Sequence, residues 1–267
     1  TANGAASAIA GPLFESLGAA VVCMANEPDG CNINLNCGST HLDALCQRVL
    51  SERADIGLAF DGDADRLIAV NAKGELVDGD YILYICSRYM KSVNRLNKNM
   101  CVTTVMANLG LYKALDANKI DYVQTPVGDK YVFEEMQKND YYLGGEQSGH
   151  IIFYENAVTG DGLLTALKLL EIMKKTGKSL EELSEGLFIY PQLLKNVKVN
   201  DKEAALKDET LWKVVKEVED ELKDEGRILV RPSGTEPLVR VMIEAKTDEL
   251  CQQYVQRVVD FIEESQC

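Results

Sequence analysis

The sequence predicts an α/β protein: two consecutive α/β layered domains with mixed, mainly parallel sheets, followed by a small α+β C-terminal domain. Three observations carry this. Short apolar runs such as "DIGLAF" (55–60), "MCVTTVM" (100–106) and "IDYVQTPV" (120–127) have strand length and end at turn residues. They alternate with segments of helical periodicity such as "GDGLLTALKLLEIMKKTG" (160–177), and that alternation implies helices layered on a sheet. Beyond about residue 190 the pattern changes to short strands separated by charged helices.

Taken in order, residues 4–17 read as a helix of small and apolar residues despite Pro12, and "AAVVCMA" (19–25) as a buried strand. "EPDGCNINLNCGST" (27–40) is a loop rich in Gly and Asn. Ser39 or Thr40 is placed to cap the helix "HLDALCQRVLSER" (41–53), because a short side-chain oxygen accepts from the unpaired first N–H groups. "DIGLAF" is the next strand and leads into an acidic loop, after which "RLIAV" and "ELVDG" flank a turn at Ala72-Lys73-Gly74 as a hairpin. A second unit starts near Gly79, with helices over 80–93, 108–119, 128–139 and 160–177. Its strands are 100–106 and 120–127, and "YYLGGEQSGHIIFYE" (141–155) reads as strand, loop, strand. In the tail, "NVKVN" (196–200) is a strand and residues 201–226 a single charged amphipathic helix. "RILVRPSGTEPLVRVMIEA" (227–245) reads as two strands about a turn, and residues 247–264 as a terminal helix. The expected domains are 1–76, 77–189 and 190–267, with Pro191 at the last linker.

Bulk properties exclude several functions. The net charge of −14 over 267 residues argues against a nucleic-acid partner, which needs a basic face. No apolar run reaches the ~18–20 residues that cross a bilayer, so no membrane partner is expected. The eight cysteines include no C-x-x-C pair and several sit in apolar company, which reads as reduced, mostly buried thiols of a cytoplasmic protein. The opening "TANGAASAIAGPLFESLGA" has no initiating Met and begins inside a patterned segment, which predicts a longer protein upstream.

Chemistry concentrates in a few loops. In "AFDGDADRL" (59–67), Asp61, Asp63 and Asp65 alternate directly after an apolar strand. Two carboxylates about 4 Å apart repel by about 4 kcal/mol at an effective dielectric of about 20. A hard cation such as Mg²⁺ would offset that; a splayed, solvated acidic turn is the alternative. An EF-hand fails, because its sixth and twelfth positions would be Arg66 and Ala72. A dehalogenase-type phosphatase loop would have Thr or Val where Asp65 stands. Arg66 can clamp a phosphate with its guanidinium fork or pair with the aspartates. In "GGEQSGH" (144–150), Glu146 and Ser148 suit vicinal sugar hydroxyls and His150 can shuttle protons, unless the loop is a plain polar turn. In "RPSGTEP" (231–237), Ser233, Gly234 and Thr235 make an anion-binding concavity with charge from Arg231 and Arg240, or an ordinary turn. Asp129 and Lys130 in "GDK" start a helix, as does Asp161, which reads as a structural cap.

These three loops, in this order, resemble the α-D-phosphohexomutase superfamily. "DGDADR" is similar to its metal loop, "GGEQSGH" to its sugar-binding loop and "RPSGTEP" to its phosphate-binding loop. "NGA", "EPDGCNIN…CGST" and "TPVGDKYV" resemble the members that act on glucosamine phosphates. The resemblance runs along essentially the whole chain and implies the second, third and fourth domains of a four-domain enzyme. It implies Mg²⁺ on Asp61, Asp63 and Asp65, and sugar contacts from Glu146 and Ser148. Asp129 and Lys130 are expected as further substrate contacts. The distal phosphate falls to Arg231, Ser233, Gly234, Thr235 and Arg240, with Arg66 and His150 beside the reacting hydroxyl. The family's nucleophile is a phosphoserine in a Thr-Ala-Ser-His-Asn type of loop in its first domain, and no serine here lies in such a loop. The expected partners are therefore a phosphorylated hexosamine and the family's N-terminal domain, with a homodimer left open. The chain alone is expected to be inactive, a sugar-phosphate and Mg²⁺ binding fragment. A phosphomannomutase/phosphoglucomutase specificity is the alternative.

Overall fold

The computed structural model describes residues 1–233 and 236–265. They form two compact units, Thr1–Ala107 with Leu111–Leu187, and Asn108–Gly110 with Phe188 onward. The first two expected domains thus pack as one body.

The first unit opens with α1 (Ala10–Ser16), shorter than the expected helix. The helix begins just ahead of Pro12, which sits in the first turn, where a missing N–H leaves no hydrogen bond unmade. The expected strand at 19–25 does not pair into any sheet. Its apolar pattern is right, but no neighbouring strand meets it; Ala19–Met24 instead line an apolar groove opposite Ile56–Phe60. Helix α2 (Asp43–Glu52) starts after Leu42 without a side-chain cap, so neither Ser39 nor Thr40 caps it. Strands β1 (Ile56–Phe60), β2 (Leu67–Asn71) and β3 (Leu76–Val77) form an antiparallel sheet in that order. Phe60 pairs with Leu67, so residues 61–66 are the hairpin loop. The turn after β2 is held by Asn71, whose Oδ1 accepts from the N–H groups of Lys73 and Glu75.

Helix α3 (Gly79–Ser92) follows, then β4 (Met100–Thr104), α4 (Leu109–Ala117), β5 (Asp121–Thr125) and α5 (Asp129–Asn139). Strands β6 (Leu143–Gly145) and β7 (Ile151–Phe153) precede α6 (Gly162–Thr176) and the short α7 (Leu180–Ser184). The second sheet runs β5-β4-β6-β7. Its β4 pairs are parallel and β6–β7 is antiparallel, so the parallel part of the mixed architecture lies here. Val102, Val132, Met136 and Ile152 close the core between this sheet and α5. Each fully buried side chain of this kind contributes about 1.5–3 kcal/mol.

In the second unit, β8 (Gln192–Lys198), α8 (Lys202–Lys207), α9 (Glu209–Leu222), β9 (Arg227–Pro232), β10 (Leu238–Glu244) and α10 (Asp248–Glu264) follow one another. The single helix expected over 201–226 is two, because Asp208 leaves the helical region and caps α9 by accepting from Thr210 N–H at 2.8 Å. The sheet order β8-β10-β9 is antiparallel throughout. Val197, Val239, Val241 and Ile243 pack on Val215, Val218, Val255 and Val258 of α9 and α10. Residues 108–110 are stitched into this unit: Asn108 exchanges two 2.9 Å hydrogen bonds with the Tyr190 backbone, and Leu109 N–H donates to Glu244. Among the described residues the cysteines carry free thiols; Cys86, Cys101 and Cys251 are buried, but Cys23 and Cys31 are exposed, contrary to the mostly buried expectation. No helix among the described residues is long and apolar enough to cross a membrane.

Candidate active site

The acidic loop is tight. One carboxylate oxygen from each of Asp61, Asp63 and Asp65 lies within 4.8 Å of the others. Ala64 sits between them with φ +65°, a left-handed conformation that curls the loop back on itself. Asp61 Oδ1 accepts from Arg66 N–H at 3.1 Å, closing the loop. Arg66 Nε lies 3.8 Å from Asp61 and 3.7 Å from Asp65, too far for a hydrogen bond. Its Nε and Asp65 Oδ1 are buried and without a hydrogen-bond partner. Burial, then the neighbouring Asp65, raises the pKa of Asp61. An oxygen-only donor set, an unpartnered buried carboxylate oxygen and a crowded acid fit a hard divalent cation such as Mg²⁺.

The loop at 146–149 is joined to the acidic loop. Arg66 and His150 form an antiparallel bridge, and Leu67 N–H donates to Gly149 O at 3.0 Å. Gly149 has φ +93°, and a Cβ there would lie 2.2 Å from Leu67 O, so only glycine allows this approach. On the other flank Gly162 N–H donates to Ala64 O at 2.9 Å. Helix α6 starts there, capped by Asp161, which accepts from Leu164 N–H at 2.9 Å.

His150 is buried, and both its ring nitrogens are engaged. Gly160 N–H donates to Nε2 at 3.0 Å, so that nitrogen carries a lone pair. The proton is then on Nδ1, which donates to Asp65 Oδ2 at 3.1 Å. The ring is thus held at both ends, between Asp65 and the Gly160 N–H.

Glu146 Oε1 accepts from Gly128 N–H at 3.0 Å, which brings the start of α5 to the sugar-type loop. Asp129 is the first residue of α5 and exposed; the cap position belongs to Gly128. Lys130 is exposed and lies 3.7 Å from Glu134. Ser148 is exposed at the loop apex.

In the second unit, Arg231 and Arg240 are directly opposite in the β9–β10 ladder. Like charges in that position repel. Burial, then Arg240, lowers the pKa of Arg231, and the Nε of each arginine is buried without a hydrogen-bond partner. An anion would satisfy both. Ser233 is buried, its Oγ accepting from Glu236 N–H at 3.4 Å, and its carbonyl accepts from Lys202 at 2.9 Å. Gly234 and Thr235 lie outside the described residues. Sequence reasoning missed Gly128, Gly160, Gly162 and Lys202; only the glycine doublet around Asp161 carried any local signal.

Sequence models of phosphoglucomutase/phosphomannomutase match in three segments: alpha/beta/alpha domain II over residues 1–74, alpha/beta/alpha domain III over 78–189 and the C-terminal domain over 194–261. A phosphoglucosamine mutase of Shouchella clausii is 58% identical over 98% of this chain and 59% of its own length. That of Halalkalibacterium halodurans is 59% identical over 98% of this chain and 58% of its own length. The chain thus spans less than two thirds of these relatives. A crystal structure of a phosphoglucomutase/phosphomannomutase family protein from Burkholderia thailandensis shares the fold, with TM-score 0.79 and 23% identity over 100% of this chain and 60% of that one. So does an Aspergillus fumigatus N-acetylphosphoglucosamine mutase in complex with GlcNAc-6P and magnesium, with TM-score 0.75 and 21% identity over 94% of this chain and 63% of that one.

Proposed function

We propose, proceeding from the premise that this chain belongs to the phosphoglucomutase/phosphomannomutase family of the α-D-phosphohexomutase superfamily, that it is the metal-, sugar- and phosphate-binding part of a phosphoglucosamine mutase. The intact enzyme would interconvert glucosamine 6-phosphate and glucosamine 1-phosphate in the cytoplasm. Residues 1–76, 77–189 and 190–267 would be its second, third and fourth domains. The observation that supports this most is the bridge of Arg66 to His150, which joins three clustered carboxylates to the Glu146–Ser148 loop.

Asp61, Asp63 and Asp65 would hold Mg²⁺, which supplies charge neutralisation to a transferring phosphoryl group. Arg66, freed from close pairing with the aspartates, would clamp that group's oxygens. Glu146 and Ser148 would grip vicinal hydroxyls, with Asp129 and Lys130 as neighbouring contacts. Arg231, Arg240, Ser233, Gly234 and Thr235 would hold the phosphate that does not react. His150 would orient Asp65 rather than move a proton. In the forward step the phosphoserine O–P bond would break as the sugar O–P bond forms, and the proton of the sugar hydroxyl would end on the released serine oxygen; the reverse transfer from the other position, with the proton returning to the sugar, would regenerate the donor. None of the chain's serines lies in a loop of the donor type, so the phosphoserine would be supplied by the family's N-terminal domain.

Calorimetric titration of the chain with Mg²⁺ and glucosamine 6-phosphate tests the reading, with mannose 6-phosphate as the competing substrate. Turnover is then compared on both sugars after joining the chain to the family's first domain. Equal preference for mannose phosphates would sink the glucosamine assignment. Absence of sugar-phosphate binding would sink the functional reading as a whole.

A further inference from the structure

We propose that Asp78 and Gln147 form a positioning pair that sets the sugar-binding loop, so that affinity for the sugar phosphate, but not for the metal, depends on their contact. This deepens the functional reading above and rests on it.

Gln147 lies between the two residues assigned to the sugar hydroxyls. Its own side chain points away from that task. Gln147 Nε2 donates to Asp78 Oδ2 at 3.3 Å, and Gln147 O accepts from Gly79 N–H at 3.0 Å. Asp78 is the N-cap of α3, its Oδ1 accepting from Asp80 N–H at 3.1 Å and Tyr81 N–H at 3.2 Å. One carboxylate therefore closes a helix end with one oxygen and ties down the loop with the other. The approach is close: a Cβ on Gly79 would lie 1.9 Å from Glu146 O. Burial raises the pKa of Asp78, as expected of a carboxylate enclosed between helix and loop.

The remaining attachments of the loop leave its middle unfixed. Glu146 N–H donates to His150 O at 3.0 Å, and Gly149 N–H to Glu146 O at 3.0 Å. Both close the turn upon itself or upon β7. Leu67 N–H holds Gly149 at the far end. Among the described residues the Asp78–Gly79 corner is what anchors residue 147, while the Glu146 carboxylate is held separately by Gly128 N–H at 3.0 Å. Because Asp78 directly follows β3, the corner also ties the loop to the sheet that carries the acidic hairpin.

The test uses the whole chain and four variants. Gln147→Leu removes the side-chain bond and keeps the helix cap. Asp78→Ser keeps a capping oxygen but no longer reaches Gln147. Asp78→Asn restores both bonds, since the Gln147 amide can flip to accept from the new donor. The fourth is the double Asp78→Ser/Gln147→Leu. Gln147→Leu and Asp78→Ser should each weaken glucosamine 6-phosphate binding by on the order of fivefold to tenfold, the worth of one ordinary hydrogen bond. The double variant should be no weaker than either, Asp78→Asn should bind like the parent, and Mg²⁺ affinity should not move. Amide exchange at 146–149 should quicken in Gln147→Leu while Asp61–Asp65 stay as they were. Unchanged sugar-phosphate affinity and unchanged exchange at 146–149 would overturn the pair. So would Mg²⁺ affinity and melting temperature falling in step with sugar affinity, which marks a merely structural contact. Failure of the parent chain to bind the sugar phosphate at all would instead overturn the functional reading, and exchange at 146–149 would still decide the contact.

Discussion

Asp65 and His150 are joined by a 3.1 Å hydrogen bond whose direction is fixed by a third group, the Gly160 N–H that occupies the other ring nitrogen. A buried ring held in this way occupies Asp65 Oδ2 and leaves Asp65 Oδ1, which has no hydrogen-bond partner, for another group. Outer contacts of this kind on metal ligands are worth 10–100-fold in metal affinity. His150→Ala should therefore weaken Mg²⁺ binding by about tenfold or more. Titration calorimetry checks this, and an unchanged Kd would remove the strut role.

The raised pKa of Asp61 has a pH consequence. A carboxyl whose pKa is raised by burial and by Asp65 holds its proton at higher pH than an ordinary Asp near 3.9. Mg²⁺ must displace that proton. Apparent Mg²⁺ affinity should fall as pH is lowered from 7, beginning above the usual aspartate range, with proton release on binding. Calorimetry in buffers of different ionisation enthalpy measures the released protons. Asp61→Asn should lose both the pH dependence and most of the affinity.

The Arg231–Arg240 pair predicts stabilisation by anions. Two guanidinium groups face each other across one rung with an unpartnered Nε apiece. Phosphate at 100 times its Kd should stabilise the C-terminal unit by about 2.7 kcal/mol, read as a rise in melting temperature. Arg231→Gln should abolish most of that rise. It should also leave the phosphate-free protein no less stable, because the repulsion goes with the charge. A phosphate effect that survives the substitution would place the anion elsewhere.

The chemistry was legible where it is local. Asp61, Asp63 and Asp65 alternate within one hairpin loop, and the hairpin itself follows from two apolar runs around a short polar stretch. What the sequence could not convey is what reaches a residue from elsewhere in the chain. "AAVVCMA" has the composition of a strand, but a strand needs a partner, and residues 19–24 meet a groove instead. Thr40 is a good capping residue, yet α2 begins after Leu42. Residues 201–226 carry one helical period, while Asp208 offers a competing local hydrogen bond that divides it. The role of His150 turned on Gly160, ten residues away and across a strand end, and the repulsion between Arg231 and Arg240 turned on ladder register. Both are tertiary facts.

Glu244 is fully buried at the end of β10, with Arg227 at 2.6 Å and the Leu109 N–H at 2.9 Å. Burial outweighs Arg227, so its pKa is raised. A raised folded-state pKa means that the folded chain binds this proton more tightly than the unfolded chain. The contribution is then full below the unfolded value of about 4.3 and is lost as pH rises through the folded value. Removing the charge while keeping the acceptor should therefore be mild: Glu244→Gln still accepts from Leu109 and Arg227, and should flatten the fall in stability above the carboxylate range. Glu244→Leu removes the carboxylate 2.6 Å from Arg227 and takes away the acceptor of the Leu109 N–H, and should cost about 3 kcal/mol or more. Urea unfolding of the two variants between pH 4 and 8 separates these outcomes. If Leu is tolerated as well as Gln, Glu244 does not anchor residues 108–110 in the C-terminal unit.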